Sequence, residues 1–120
     1  MLRFVWIALL AGLVSAPLLA RYISGSWDFT VDTSQGSGSP SFVFVQNGEK
    51  LTGTYSGLLG KADLAGTVKG DRIDFKFSST YSGQSGVCHY TGAIQSDTEM
   101  KGKMDVGDLG DGEWTANKQK

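Results

Sequence analysis

Four times the chain repeats apolar-x-Gly-x-apolar inside an alternating stretch: Leu51-Thr-Gly53-Thr-Tyr55, Leu64-Ala-Gly66-Thr-Val68, Tyr90-Thr-Gly92-Ala-Ile94 and Met100-Lys-Gly102-Lys-Met104. Period-two alternation means β-strands with one buried face. A glycine on that face marks a bend, or a place where the residue opposite needs room. The pattern constrains architecture strongly, toward a small closed sheet, and chemistry weakly.

Residues 1–20 have the form of a secretory signal. Arg3 gives a basic start, Phe4 to Val14 an apolar core, and Ala16 and Ala20 are the alternative small residues at which cleavage would occur. No cysteine follows this run to carry a lipid, and the run is short for a permanent membrane span. Residues 21–120 then form one domain, exported to the periplasm or secreted, with no membrane contact once the leader is gone. A formal net charge of −1 and the absence of clustered arginines and aromatics argue against nucleic acid as a partner. The lone Cys88 excludes an internal disulfide, so the domain depends on its core and strand pairing. Closing the sheet into a barrel removes the unpaired edges.

Turn signals divide the remainder into about eight strands, at 25–32, 41–47, 50–57, 62–69, 72–79, 87–96, 99–106 and 112–118. The fold class is therefore all-β: a single antiparallel up-and-down barrel of about eight strands. Two tight turns fix registers by arithmetic. A loop at Asn47-Gly48 puts Phe44 opposite Leu51 and Phe42 opposite Gly53, and a loop at Gly70-Asp71 puts Val68 opposite Ile73 and Gly66 opposite Phe75. A third loop through Asp97-Thr98-Glu99 sets Ile94 against Gly102; the alternative, through Ser96-Asp97-Thr98, opposes Gly92 to Gly102 and ranks second because it wastes packing. The inward set is Trp27, Phe29, Val31, Phe42, Phe44, Leu51, Tyr55, Leu64, Val68, Ile73, Phe75, Phe77, Cys88, Tyr90, Ile94, Met100, Met104, Val106, Trp114 and Ala116. It holds no acid or base of ordinary pKa. The outward positions are Thr, Ser, Lys and Asp, unlike the apolar band of an outer-membrane barrel.

The mature chain resembles the calycins, the small barrels that include lipocalins, fatty-acid-binding proteins and avidins. Gly25-Ser-Trp27, Leu51-Thr-Gly-Thr-Tyr55, Ile73-Asp-Phe-Lys-Phe77-Ser78, Tyr90-Thr-Gly92 and Gly112-Glu-Trp114-Thr-Ala116 follow in the order and spacing of avidins. The resemblance implies that Tyr55, Ser78 and Thr80 stand where avidins hold the polar groups of biotin, and Trp114 where one of their stacking tryptophans stands. Phe29 occupies the region of a polar residue, and Phe75 and Met104 replace two further tryptophans. Tight biotin binding is not expected.

Cys88 and His89 are strand neighbours and point to opposite faces, so they cannot form a thiolate–imidazole pair. A buried thiol in apolar surroundings is inert. The acidic run Asp105 to Glu113 offers oxygens to calcium but lacks the twelve-residue helix-loop-helix spacing, and reads first as a solvated connection. With no titratable groups converging inside, no catalytic residue, metal or cofactor is assigned, and the chain is not expected to be an enzyme. Two functions remain. One is a lipocalin-like carrier whose barrel takes a small, largely apolar ligand against Trp27, Tyr55, Phe75, Tyr90 or Trp114. The other is a structural or protein-interaction barrel with a filled core. An eight-stranded barrel is just wide enough for either. The expected state is a monomer or weak oligomer.

Overall fold

The computed structural model describes residues 21–34, 36–58, 60–81, 84–106 and 110–120. The expected signal peptide, residues 1–20, lies outside the described residues. So do residues 107–109 of the acidic loop and the side chain of Thr80.

The strands are β1 Gly25–Thr33, β2 Gly36–Gly38, β3 Ser41–Asn47, β4 Lys50–Gly57, β5 Gly60–Lys69, β6 Arg72–Tyr81, β7 Gln84–Ile94, β8 Glu99–Asp105 and β9 Asp111–Lys118. Each pairs antiparallel with its neighbour, and β9 returns to β1 from Trp27↔Lys118 to Thr33↔Gly112, which closes the sheet. β2 and β3 are one barrel strand. Val31↔Gly38 on β2 and Trp27↔Phe42 on β3 belong to a single register along β1. The interruption falls at Pro40, whose carbonyl still accepts from Phe29 N–H at 3.0 Å but whose ring nitrogen has no hydrogen to give back. The barrel thus has eight strands, as the turn spacing predicts, with residues 36–38 added to the expected set.

Every residue of the expected inward set is buried except Val106, which is partly buried, and Ile23 joins the core from outside the strands. Val43 and Val45 face out, so the ambiguous run Phe42-Val-Phe-Val45 is oriented as expected.

The β5–β6 register is the expected one, with Val68↔Ile73, Gly66↔Phe75 and Leu64↔Phe77. Two others differ. At the β3–β4 turn the loop is Gly48-Glu49, closed by Asn47↔Lys50, so Gly53 faces Phe44 and Phe42 faces Tyr55. Gly48 adopts φ +66° at the first loop position, a conformation glycine reaches without strain. At the β7–β8 turn the second-ranked loop is the one that forms, and Gly92 faces Gly102. The space above that glycine pair is not wasted. Trp114, itself opposite Gly102, lays its indole over Gly92, where an added Cβ would come within 2.6 Å of the ring.

The repeated glycines share one geometry. At Gly53, Gly66, Gly92 and Gly102, and also at Gly112, an added Cβ would run into the carbonyl oxygen of the residue just before a cross-strand partner: Val43, Asp74, Lys101, Thr91 and Asp32 respectively. Neighbouring backbones approach there more closely than a side chain permits. Such kinks let a small sheet coil tightly enough to close.

Candidate functional site

The barrel has a floor and a mouth. The floor carries the β3–β4, β5–β6 and β7–β8 turns, and residues Arg21–Ser24 cross it. Arg21 N–H donates to Gly70 O at 3.1 Å, and its guanidinium meets Asp97 at 3.1 Å and Asp71 at 3.8 Å. Gln46 anchors the crossing segment. Its Oε1 accepts from Ile23 N–H at 2.8 Å, its Nε2 donates to Arg21 O at 2.7 Å, and its own N–H donates to Ser24 Oγ at 2.9 Å. Ile23 and Trp27 are thereby fully buried, with Trp27 Nε1 donating to Ile23 O at 2.9 Å. Trp27 is a plug. Its polar edge is used inside the protein, and it is held at the end opposite the mouth.

Above the floor the interior is filled by rings. Phe29 stacks on Trp114 at 4.7 Å and tilts against Phe42 at 4.4 Å, and Phe75 meets Phe42 and Phe44 edge-on, each at 5.3 Å. Aromatic pairs at such distances and angles add to the area they bury. Trp114 Nε1 donates to Lys103 O at 2.9 Å. Both described tryptophans therefore have their N–H groups occupied, and Phe75 lies deep in the ring cluster.

The mouth side is different in chemistry. Tyr55 stacks on Phe77 at 4.4 Å, and its hydroxyl extends over Gly57, where an added Cβ would stand 2.6 Å from it. Tyr90 stacks on Phe75 at 5.0 Å with Phe77 at 5.7 Å. Cys88 Sγ lies 3.6 Å from Ser79 Oγ. Burial raises the Cys88 thiol above its ordinary value, against a smaller lowering by the Ser79 hydroxyl, and Asp105 adds to the rise. Burial, then the neighbouring Cys88 and Tyr55, raise the Tyr90 phenol far above its ordinary value. Both groups are neutral at physiological pH.

Of the five expected ligand contacts, the structure puts Tyr55 on the mouth side, Phe75 and Trp114 in the packed middle and Trp27 at the floor, while Tyr90 stands directly across from Phe75 and joins the ring cluster, 5.5 Å from Phe42, 6.0 Å from Phe29 and 6.1 Å from Trp114, with Phe77 on its mouth side. Ser79 and Phe77 complete the mouth group; Ser79 is inward by parity with Phe77, and that parity is the signal that could have found it. Ser78 is exposed on the outer face, away from any interior ligand. His89 also faces out, its Nε2 2.9 Å from Asp74 Oδ1. Among the described residues no group of three or more His, Cys, Asp or Glu is placed to hold a metal.

Two open clefts lined by described residues are both outside the interior. One, about 530 Å³, runs beside Thr91, Lys103, Glu113 and Asp32, successive cross-strand partners on the outer face. The other, about 550 Å³, lies between Arg21, Tyr22, Asp97 and Lys118.

No protein family and no curated protein matches the sequence. Solved structures do match in fold. A redesigned β-barrel superposes with a TM-score of 0.67 at 17% identity, over 82% of this chain and 92% of that one. A second redesigned barrel, bound to DFHBI, gives 0.59 at 13% identity over 81% and 94%. A de novo fluorescence-activating β-barrel gives 0.57 at 15% identity over 83% and 96%. At these identities the likeness is one of fold: a small, closed, antiparallel eight-stranded barrel.

Proposed function

We propose that this chain is an exported, calycin-like barrel that binds one small, flat, largely apolar molecule at its mouth, against Tyr55, Phe77 and Tyr90, and that it performs no catalysis. The observation that carries this reading is the asymmetry of the two ends. The floor is sealed by Ile23 and Trp27 with their polar groups paired, whereas the mouth side sets stacked rings beside hydroxyl and thiol groups. Apolar walls with a few convergent polar groups are the usual make-up of a small-molecule site. A redesigned barrel of the same architecture holds DFHBI, which supports the capacity of the fold for such a ligand. Residues 1–20 would direct export and be removed.

The competing reading, a scaffold with a filled core, is favoured by the ring cluster that occupies the middle of the barrel. Titration of the mature protein with apolar fluorescent dyes and fatty acids, with native mass spectrometry of protein from its own host, separates the two. Saturable one-to-one binding, weakened by Tyr55→Leu in a variant that still folds, is the expected result. Unchanged dye emission together with a bare protein mass would leave the scaffold.

A further inference from the structure

We infer that the mouth selects a ligand bearing a neutral hydrogen-bond acceptor, a ketone, ester or amide carbonyl on a flat apolar body, and that the Tyr90 hydroxyl is its donor. This rests on the binding reading above and names the chemistry of that same site.

The first support is an unused donor. Tyr90 is 3% exposed, and among the described residues none hydrogen-bonds its hydroxyl. Buried tyrosine hydroxyls ordinarily have a partner, because one left without it has given up water for nothing. The other buried groups are committed: both tryptophan N–H groups meet carbonyl oxygens, and Ser79 and Cys88 face each other.

The second is position. The groups that act on the Tyr90 phenol are Cys88 and Tyr55. Cys88 lies two residues nearer the mouth on the same face of β7, and Tyr55 lies two residues from the mouth end of β4. Tyr90 stands opposite Phe75 and also meets Phe77, the next inward residue toward the mouth on β6, at 5.7 Å, so its ring borders the mouth-side group.

The third is charge. Among the described residues no Asp, Glu, Lys, Arg or His is buried. A carboxylate drawn into this interior would meet no cation, and an unpaired ion in apolar surroundings is strongly disfavoured. A neutral carbonyl accepts from Tyr90 and carries no such penalty. Because burial holds the phenol protonated, it remains a donor across the physiological range.

Three naphthalene dyes of nearly equal size test this in the mature protein: prodan, a neutral ketone; dimethylaminonaphthalene, which lacks the carbonyl; and the corresponding naphthoate. Prodan is expected to bind about tenfold more tightly than either of the others, the worth of one well-placed hydrogen bond. Tyr90→Phe keeps the ring and should abolish that preference without lowering the melting temperature, since the hydroxyl it removes has no partner among the described residues. Equal affinity for ketone and hydrocarbon dyes would overturn the inference while leaving the binding reading intact. Tightest binding of the naphthoate would overturn it too, as would a destabilised Tyr90→Phe. If none of the dyes binds, the proposed function falls and this inference with it.

Discussion

Replacing Gly66 by alanine adds one methyl group and should nevertheless be among the most damaging changes possible in the sheet. The added carbon would stand 2.5 Å from Phe75 Cα and 2.7 Å from Phe75 Cβ, and nearer still to the Asp74 carbonyl oxygen. Ordinary van der Waals contact begins near 3.4 Å, so β5 and β6 must separate by about 1 Å at a point where they are paired on both sides, at Leu64↔Phe77 and Val68↔Ile73. Two effects oppose each other. Glycine to alanine at a compatible site stabilises by about 0.4–1 kcal/mol, because the unfolded chain loses freedom. Overpacking costs about 1–3 kcal/mol when side chains can yield, and here backbone must yield, so the upper figure applies. The net loss is about 2–3 kcal/mol, or roughly 8–24 °C in melting temperature for a domain of about 100 residues. Thermal unfolding by circular dichroism measures it, with Thr67→Ala on the outer face as the control. A Gly66→Ala protein melting within about 2 °C of wild type would refute the reasoning that backbone proximity, and not simply turn flexibility, holds glycine on the inner face.

Gly92→Ala should displace the Trp114 ring, which an added Cβ would approach to 2.6 Å; a changed near-ultraviolet circular dichroism spectrum with a lowered melting temperature is expected, and an unchanged spectrum would contradict the packing described. Gln46→Ala removes the side-chain partners of the Ile23 N–H and the Arg21 carbonyl, and should cost about 2 kcal/mol with faster amide exchange at Ile23; a loss below about 0.5 kcal/mol would mean that the floor segment does not depend on it. Cys88 should resist thiol reagents at pH 8 in the native protein and react in denaturant, and complete labelling within minutes without denaturant would refute its burial. The same burial has a pH consequence. A thiol whose folded pKa is raised keeps its full stability contribution below the ordinary value of 9.0 and loses it as pH rises from there toward the folded value, so chemical-denaturation midpoints should fall above pH 9, less steeply in Cys88→Ala.

The inner face was legible in the sequence because side-chain direction has a period of two. Both hairpin registers that differ from expectation differ by an even number of residues: Phe44 pairs with Gly53 in place of Leu51, and Ile94 with Met100 in place of Gly102. An even slip exchanges partners and preserves faces, whereas a one-residue slip would have turned every side chain over. Pairing itself was less legible, because a hairpin considered alone omits the third strand. Gly92 opposite Gly102 is a poor pair until β9 sets Trp114 opposite Gly102 and its ring over Gly92. The continuation of β3 back to Gly36 was hidden for a local reason: Pro40 removes one donor from the ladder and looks like a boundary.

The site was less legible than the fold, since alternation tells which residues point inward and says nothing about their height along the barrel axis. Trp27, Tyr55, Phe75, Tyr90 and Trp114 share the inner face, yet the structure distributes them from floor to mouth side. What separates the two ends is a pair of polar residues at inward parity. Gln46 continues the inward series Phe42, Phe44, and an amide there has no reason to enter an apolar barrel unless backbone groups wait for it; they are supplied by the segment that crosses the floor. Ser79 continues Ile73, Phe75, Phe77 in the same way and meets a thiol at the other end. At the floor the amide is satisfied by the chain itself, and the end is closed. On the mouth side the nearby Tyr90 hydroxyl meets no described partner, and the same rule that buried polar groups must be paired, satisfied by protein at one end, is what the proposed ligand would satisfy at the other.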